Sequence, residues 1–175
     1  MNIIKQQDSS GIAGTLIVRS FPKGVISDLL KQGYSVAEAI AANAEKQLAE
    51  VQQHNLVVTA GKTLVGNLLT GKESTGITYI AIGTGTTAAN VADTKLVAEV
   101  GRKEITDKIV SGATVTLSTF FLASECTFAI TEIGFFGALA TLAVNSGSLF
   151  SRILLTYNNS AGLYDLTFEY TLTIG

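Results

Sequence analysis

The sequence predicts a mainly β protein: an antiparallel β-sandwich of jelly-roll type, with an N-terminal arm and one or two helices. Residues 114–120 and 165–174 alternate apolar and polar side chains with a period of two, which is typical of strands that place one face on a core. Further β-rich runs at 77–82, 128–133 and 148–157 are separated by Gly, Ser and Asn. We therefore expect an arm over 1–34, a helical segment over 35–71 and the sandwich over 72–175.

The first 34 residues carry isolated apolar side chains with few periodic partners. Pro22, the single proline of the chain, removes a backbone donor and restricts Phe21, so a turn is expected there. This pattern favours an arm that packs on another protein, and a loosely ordered start of the chain is the alternative.

The clearest helix signal begins at Ser35, where Ser35 and Glu38 have the spacing of a capping box. One apolar stripe at spacings of four and three then runs to about Gln53, and it consists of Val36, Ile40, Ala44, Leu48 and Val51. The stripe packs either on its own domain or across a subunit interface. A shorter helix is predicted from about Ala60 to Leu69, with Gly71 as the glycine that follows its C-terminus.

The composition predicts a surface that is partly covered by another protein. Apolar residues make up 47% of the 175 positions, and charged residues only 15%, where about 25% is usual. A chain this poor in charge is expected to pack against copies of itself, and a monomer with a Ser- and Thr-rich surface is the alternative.

The same composition argues against several other classes of protein. The net charge is −2 and the basic residues are scattered, whereas nucleic-acid binding needs a clustered basic field, so we expect no nucleic-acid partner. The chain has no secretory signal pattern and no run of 18 apolar residues, so we expect no membrane contact and folding in a cytoplasm.

Three short motifs resemble sites for chemistry. Residues 83–88 match the G-x-G-x-x-A fingerprint of dinucleotide-binding loops, but a loop-like stretch follows them instead of the required helix. Residues 61–63 resemble the end of a phosphate-binding loop, but Leu56 stands where that motif needs its first glycine. Residues 158–160 match a glycosylation acceptor and are interpreted as a polar hairpin turn.

Catalytic residues are difficult to place in this sequence. His54 is the single histidine, and a nucleophile would have to be Cys126 or one of many serines, none in a recognisable motif. Paired carboxylates leave an acid/base hydrolase open, drawn from Glu99, Glu104, Asp107, Glu125 and Glu132. The sequence lacks His or Cys pairs for a metal. We expect neither an enzyme nor a bound cofactor or metal.

An ordered series of weak motifs spans residues 55–175. It comprises NLVVTAGK at 55–62, the run 77–87, LVAEVGRK at 96–103, the two phenylalanines at 120–121, ITEIGFFG at 130–137, LFSR at 149–152 and FEYTL at 168–172. Taken together, these motifs resemble a widespread type of small structural protein from tailed bacteriophages and prophages, associated with the tail or decorating the head.

This resemblance implies a β-sandwich that assembles into homo-oligomers, often trimers, and contacts other virion proteins of the capsid, neck or tail. It also implies location in the virion after assembly in the host cytoplasm, and it brings no catalytic residues. Phe135 and Phe136 are candidates for a subunit interface together with the helix stripe, with a core position for both as the alternative. A receptor- or glycan-binding module at a fibre tip, using Tyr157 and Tyr164, is the alternative function.

Overall fold

A computed structural model describes residues 11–175, and its ten strands form two antiparallel sheets that confirm the predicted β-sandwich. The front sheet has the order β2-β1-β10-β7-β6 and the back sheet the order β3-β9-β8-β4-β5. The strands are β1 Ile12–Pro22, β2 Ala49–His54, β3 Leu56–Val57, β4 Ile77–Gly83, β5 Glu99–Glu104, β6 Asp107–Ser111, β7 Thr114–Phe121, β8 Ala129–Gly137, β9 Ser148–Asn158 and β10 Tyr164–Ile174. The helices are α1 Val25–Lys31, α2 Val36–Ala42 and α3 Thr59–Leu69.

The main core lies between the two sheets, where alternate residues of the long strands point inward. Phe135 on β8 stacks on Tyr170 on β10 with ring centroids 3.9 Å apart, so this contact joins the back sheet to the front sheet. Phe121 and Phe168 meet edge to face at 5.3 Å within the front sheet. Aromatic pairs of this kind add roughly 0.5–1.5 kcal/mol beyond the area that they bury.

The predicted N-terminal arm is wrong for residues 12–22, which form β1 inside the front sheet. β1 pairs with β10 along its whole length and with β2 on its other side. Leu16 and Val18 point into the core at intervals of two, which is the pattern of an interior strand. Residues 1–10 of the predicted arm lie outside the described residues. The sandwich does not begin at residue 72 as predicted, because β1, β2 and β3 already belong to its two sheets.

The predicted helix over 35–53 is correct only in its first two turns. The capping box at Ser35 and Glu38 is present, but α2 ends at Ala42, where the buried Asn43 amide donates to the Ala39 carbonyl. From Leu48 onward the backbone pairs with β1 instead, beginning with the bond from Leu48 N to Ser20 O. Pairing with an interior strand therefore outweighs the helical periodicity in this segment.

The second predicted helix is confirmed as α3, and Gly71 follows it with the left-handed φ of +69°. α3 packs along β9 of the back sheet. The short helices α1 and α2 cover one end of the outer face of the front sheet, where Val36 and Ile26 pack with Phe21 and Phe120. None of the helices in residues 11–175 has the length and apolar character that crossing a bilayer requires.

Two long connections without helices cover the outer face of the back sheet. We call residues 84–98 the β4–β5 loop and residues 138–147 the β8–β9 loop. Leu96 of the first loop and Ala140 of the second pack in one small cluster with Phe136 and Leu149. The back sheet is therefore buried on both faces, which explains the nearly continuous apolar sequence of β8.

Candidate interaction surfaces

The two predicted interface phenylalanines lie inside the chain. Phe135 is 1% exposed and stacks on Tyr170, while Phe136 is fully buried beneath the Arg102 guanidinium, 4.5 Å from the ring centroid. Neither ring has surface left for a partner, so the prediction that they form a subunit interface is wrong. The alternative, that both are core residues, describes their position.

The five residues of the predicted helix stripe do not share one face. Val36 is buried against the cluster around Phe21, and Ile40 packs at the edge of that cluster. Ala44 and Leu48 are exposed in the turn that follows α2, and Val51 is half-buried on β2. Because the helix ends early, the stripe is divided between a helix, a turn and a strand and does not form a single interface.

A buried ion pair joins Glu132 on β8 to Arg152 on β9, and both side chains are completely buried. The Glu132 carboxylate also accepts hydrogen bonds from the backbone amides of Gly85, Val97 and Ala98 at 2.6–3.1 Å. Charges removed from water in this way are stable only when they are paired and fully hydrogen-bonded.

Arg152 also makes hydrogen bonds of its own to the β4–β5 loop. Its guanidinium donates to the carboxylate of Asp93 at 2.9 Å and to the carbonyls of Thr87 and Ala88. Glu132 and Arg152 together bind five backbone groups, and all five belong to the β4–β5 loop. The buried pair therefore fixes this loop on the back sheet.

A second buried pair fixes the β8–β9 loop. Arg102 on β5 binds Glu99 through two nitrogens at 2.6 and 2.9 Å and donates to the carbonyls of Thr141 and Ser146. The Glu99 carboxylate in turn accepts from the amide of Asn145 at 3.0 Å. A bidentate pair of this kind holds geometry tightly because both partners are planar.

The other candidate acid/base carboxylates have separate structural contacts. Asp107 accepts from the amides of Val36 and Ala37 at the start of α2, and Glu125 binds Lys103 at 2.5 Å. Glu104 is exposed on β5. Within residues 11–175, no group of three or more His, Cys, Asp or Glu side chains has the arrangement of a metal site.

The two candidate nucleophile and base residues lie in different environments. His54 is exposed at the end of β2, with its Nδ1 3.4 Å from the hydroxyl of Thr15. Cys126 is fully buried in the main core, and this burial, with the nearby Glu125 carboxylate as a smaller cause, raises the pKa of its thiol to about 12. The thiol is therefore protonated at neutral pH and acts as a small apolar core residue.

The three short motifs have structural roles, and residues 61–63 lie in the first half of α3. The G-x-G-x-x-A sequence opens the non-helical β4–β5 loop, and its Gly85 amide is bound to Glu132. Residues 158–160 form the polar turn between β9 and β10, where the Asn158 side chain accepts from Ser160. Tyr157 beside this turn is buried in the core, and burial raises the pKa of its phenol, so its ring does not offer a flat surface to a sugar.

The outward sides of the two anchored loops carry exposed aliphatic side chains. Leu139, Leu142 and Val144 of the β8–β9 loop are 87%, 69% and 60% exposed, and Val97 and Val100 are half-exposed next to Glu99. Asn145 donates to Glu99, so the two stretches meet at this point. We call these five side chains the loop surface. The sequence signal was the run LATLAV, in which Thr141 is the single polar residue, whereas a connection between strands usually carries several.

A second apolar surface is a groove of about 480 Å³ at one end of the sandwich. It opens between α3 and the inner faces of the sheets, and its lining is aliphatic or aromatic except for Gly76 and Lys108. Its lining includes Ile12, Leu64, Leu68, Val115, Leu172 and Ile174. The sequence does not reveal the groove because its lining comes from seven separate segments of the chain.

No protein-family model, no curated protein and no solved structure matches this chain.

Proposed function

We propose that this chain is a structural subunit of a tailed-phage or prophage particle, which assembles with copies of itself and attaches to other virion proteins of the capsid, neck or tail. The observation that carries this proposal is the loop surface. Its aliphatic side chains stand in water on loops that two buried Glu–Arg pairs hold in place. Exposed apolar groups on rigidly held loops are typical of surfaces that pack against another protein.

The energetic cost of the anchors supports this interpretation. Removing a carboxylate and a guanidinium from water costs several kcal/mol per ion before their mutual attraction offsets it. Aliphatic residues in the same positions would avoid this cost, but they would leave the loop amides and carbonyls that Glu132 and Arg152 bind without partners. What the ion pairs add is a fixed loop geometry, which a binding surface needs and a simple connection between strands does not.

The resemblance to phage structural proteins supports the proposal from an independent direction. Three of its motifs, at 96–103, 130–137 and 149–152, contain the four residues of the buried pairs, Glu99, Arg102, Glu132 and Arg152. The resemblance therefore includes the residues that hold the loops. The low charge of the chain and its β-sandwich fold agree with a subunit whose sides are covered in a larger particle.

The test is incorporation into particles. The variant with both Leu142→Lys and Val144→Lys places two charges on the loop surface, while Ala161→Lys places one at the other end of β9 in an exposed turn. Particles released by the strain that encodes the chain are purified, and the chain is quantified in them by mass spectrometry. We expect the double variant to reduce incorporation by about tenfold or more, which corresponds to a loss of ~1.4 kcal/mol of binding.

The control Ala161→Lys is expected to incorporate like the unchanged chain, because its position lies away from the loop surface. Gold-labelled antibody on intact particles then places the chain on the capsid, neck or tail. Absence of the unchanged chain from purified particles would refute the proposed function.

A further inference from the structure

The strand β6 forms one edge of the front sheet and has a neighbour on one side only. It pairs with β7 through Asp107–Ser111 against residues 114–118, and the sheet ends there. Within the described part of the chain, residues 108–111 make no hydrogen bond besides this pairing. An edge of this kind presents a row of free backbone donors and acceptors to any extended strand of matching shape.

The hairpin geometry determines which backbone groups are free. Ser111 and Thr114 close a two-residue turn at Gly112 and Ala113, and such a closing pair exchanges both of its hydrogen bonds. Bonded and non-bonded pairs alternate along an antiparallel ladder, so Ile109 and Asp107 also bond to β7. The N–H and C=O groups of Lys108 and Val110 therefore point to the open edge.

The side chains of β6 are unusually apolar for a free edge. Val110 is 74% exposed and Ile109 is 51% exposed, and they stand on opposite faces of the strand. The opposite edge of the same sheet, β2, carries Glu50, Gln52, Gln53 and His54 in exposed positions. Polar and charged residues are the usual protection of an edge against pairing, and β6 has only Lys108, Ser111 at its end and an Asp107 whose carboxylate is used by α2.

β6 follows β5 directly along the chain, and the two strands are edges of different sheets. β5 is the corresponding edge of the back sheet, it packs against β7, and it carries Glu99 and Arg102 that anchor the β8–β9 loop.

We propose that β6 pairs antiparallel with β6 of a second copy of this chain across a two-fold axis, which joins two front sheets into one ten-stranded sheet. This inference rests on the proposed self-assembly and names the contact that produces it. The second copy is favoured over β2 as the partner because Ile109 then meets Ile109 of the neighbour and Val110 packs on the aliphatic part of its Lys108, whereas β2 would place Gln and Glu against them.

One register satisfies the free groups of both copies. Lys108 bonds to Val110 of the other copy and Val110 to its Lys108, while Ile109 faces Ile109 on the axis and Asp107 faces Ser111. This register pairs all five residues and opposes no like charges. A shift that places Lys108 on the axis would bring the two ammonium groups together, and like charges directly opposite each other destabilise a sheet.

The register makes Ile109→Cys the most direct probe. Non-bonded antiparallel pairs have Cα atoms about 4.5 Å apart, within the roughly 4.4–6.8 Å that a disulfide spans. The full-length variant is treated with a mild oxidant and analysed by non-reducing electrophoresis. We expect most of the chain to become a covalent dimer, and Gln52→Cys on the exposed edge β2 to remain largely uncrosslinked. The native Cys126 does not compete, because it is fully buried.

A charged residue at position 109 tests the same contact without a covalent bond. Ile109→Lys places two ammonium groups on the axis and is expected to weaken self-association by about tenfold or more, whereas Gln52→Lys is expected to leave it unchanged. Circular dichroism checks that both variants keep the β fold.

The outcomes separate this inference from the proposed function. An unchanged chain that self-associates while Ile109→Cys crosslinks no better than Gln52→Cys overturns the β6 pairing alone, as does an assembly of three copies without any two-fold contact. An unchanged chain that stays monomeric at every concentration overturns both.

Discussion

Replacing Glu132 by Gln is expected to lower the free energy of unfolding by about 3–5 kcal/mol, the range for breaking a buried ion pair on one side. The Arg152 guanidinium would stay fully buried without its main counter-charge. The new NH2 group would replace one carboxylate oxygen, so it would face either the amides of Gly85 and Ala98 or the amide of Val97 and Arg152, all of which are donors themselves. Chemical denaturation monitored by circular dichroism gives the change in unfolding free energy.

The matched control is Glu50→Gln, which removes the same charge from the Arg19–Glu50 pair at the exposed edge β2. Exposed pairs contribute roughly 0–1 kcal/mol, so the control is expected to lose less than about 1 kcal/mol. Equal small losses in both variants would show that Glu132 and Arg152 do not anchor the β4–β5 loop as described.

Gly61→Ala is expected to destabilise the protein by about 1–3 kcal/mol or more, the usual cost of overpacking a filled interior. A Cβ atom at Gly61 would lie 2.1 Å from the carbonyl oxygen of Phe150, which belongs to the backbone of β9. β9 is held by β3 on one side and β8 on the other, so it cannot move away cheaply. Gly61 is therefore the point at which α3 approaches the back sheet, rather than part of a phosphate-binding loop.

Gly66→Ala, one and a half turns later in α3, is the control, and we expect it to change the stability in the opposite direction. No atom lies within 4 Å of a Cβ at Gly66, and alanine favours a helix over glycine by roughly 0.5–1 kcal/mol. We expect Gly66→Ala to raise the thermal midpoint and Gly61→Ala to lower it. A shift of the same sign in both variants would contradict the close contact between α3 and β9.

The parts of the fold that could be predicted from the sequence are those with a strong local signal. β10 and β7 alternate cleanly, and α3 has both an apolar face and a glycine after its last turn, so their types were predicted correctly. β1 was not assigned to the sandwich because Gly14 interrupts its inward row and Ile17 makes its centre apolar on both faces. The helix after Ser35 was extended too far because its periodicity happens to continue into β2.

The candidate site was less accessible to sequence reasoning, since it depends on contacts between distant segments. Glu132 and Arg152 each stand alone in an apolar strand, and an isolated charge in such a strand indicates a buried partner, but the sequence does not show which. Phe135 and Phe136 were predicted at an interface because aromatic residues are enriched there, but the sequence does not show that both rings are enclosed by other parts of the chain. The free edge of β6 appears only once the strand order of the front sheet is known.

The central claim, that this β-sandwich covers its exposed apolar surfaces with copies of itself, is tested most directly by sedimentation equilibrium of the full chain. One chain has a mass of 18.3 kDa. We predict a concentration-dependent mass of at least twice this value at micromolar concentration, and a lower mass for Ile109→Lys. A single 18.3 kDa species over the whole concentration range would contradict the account.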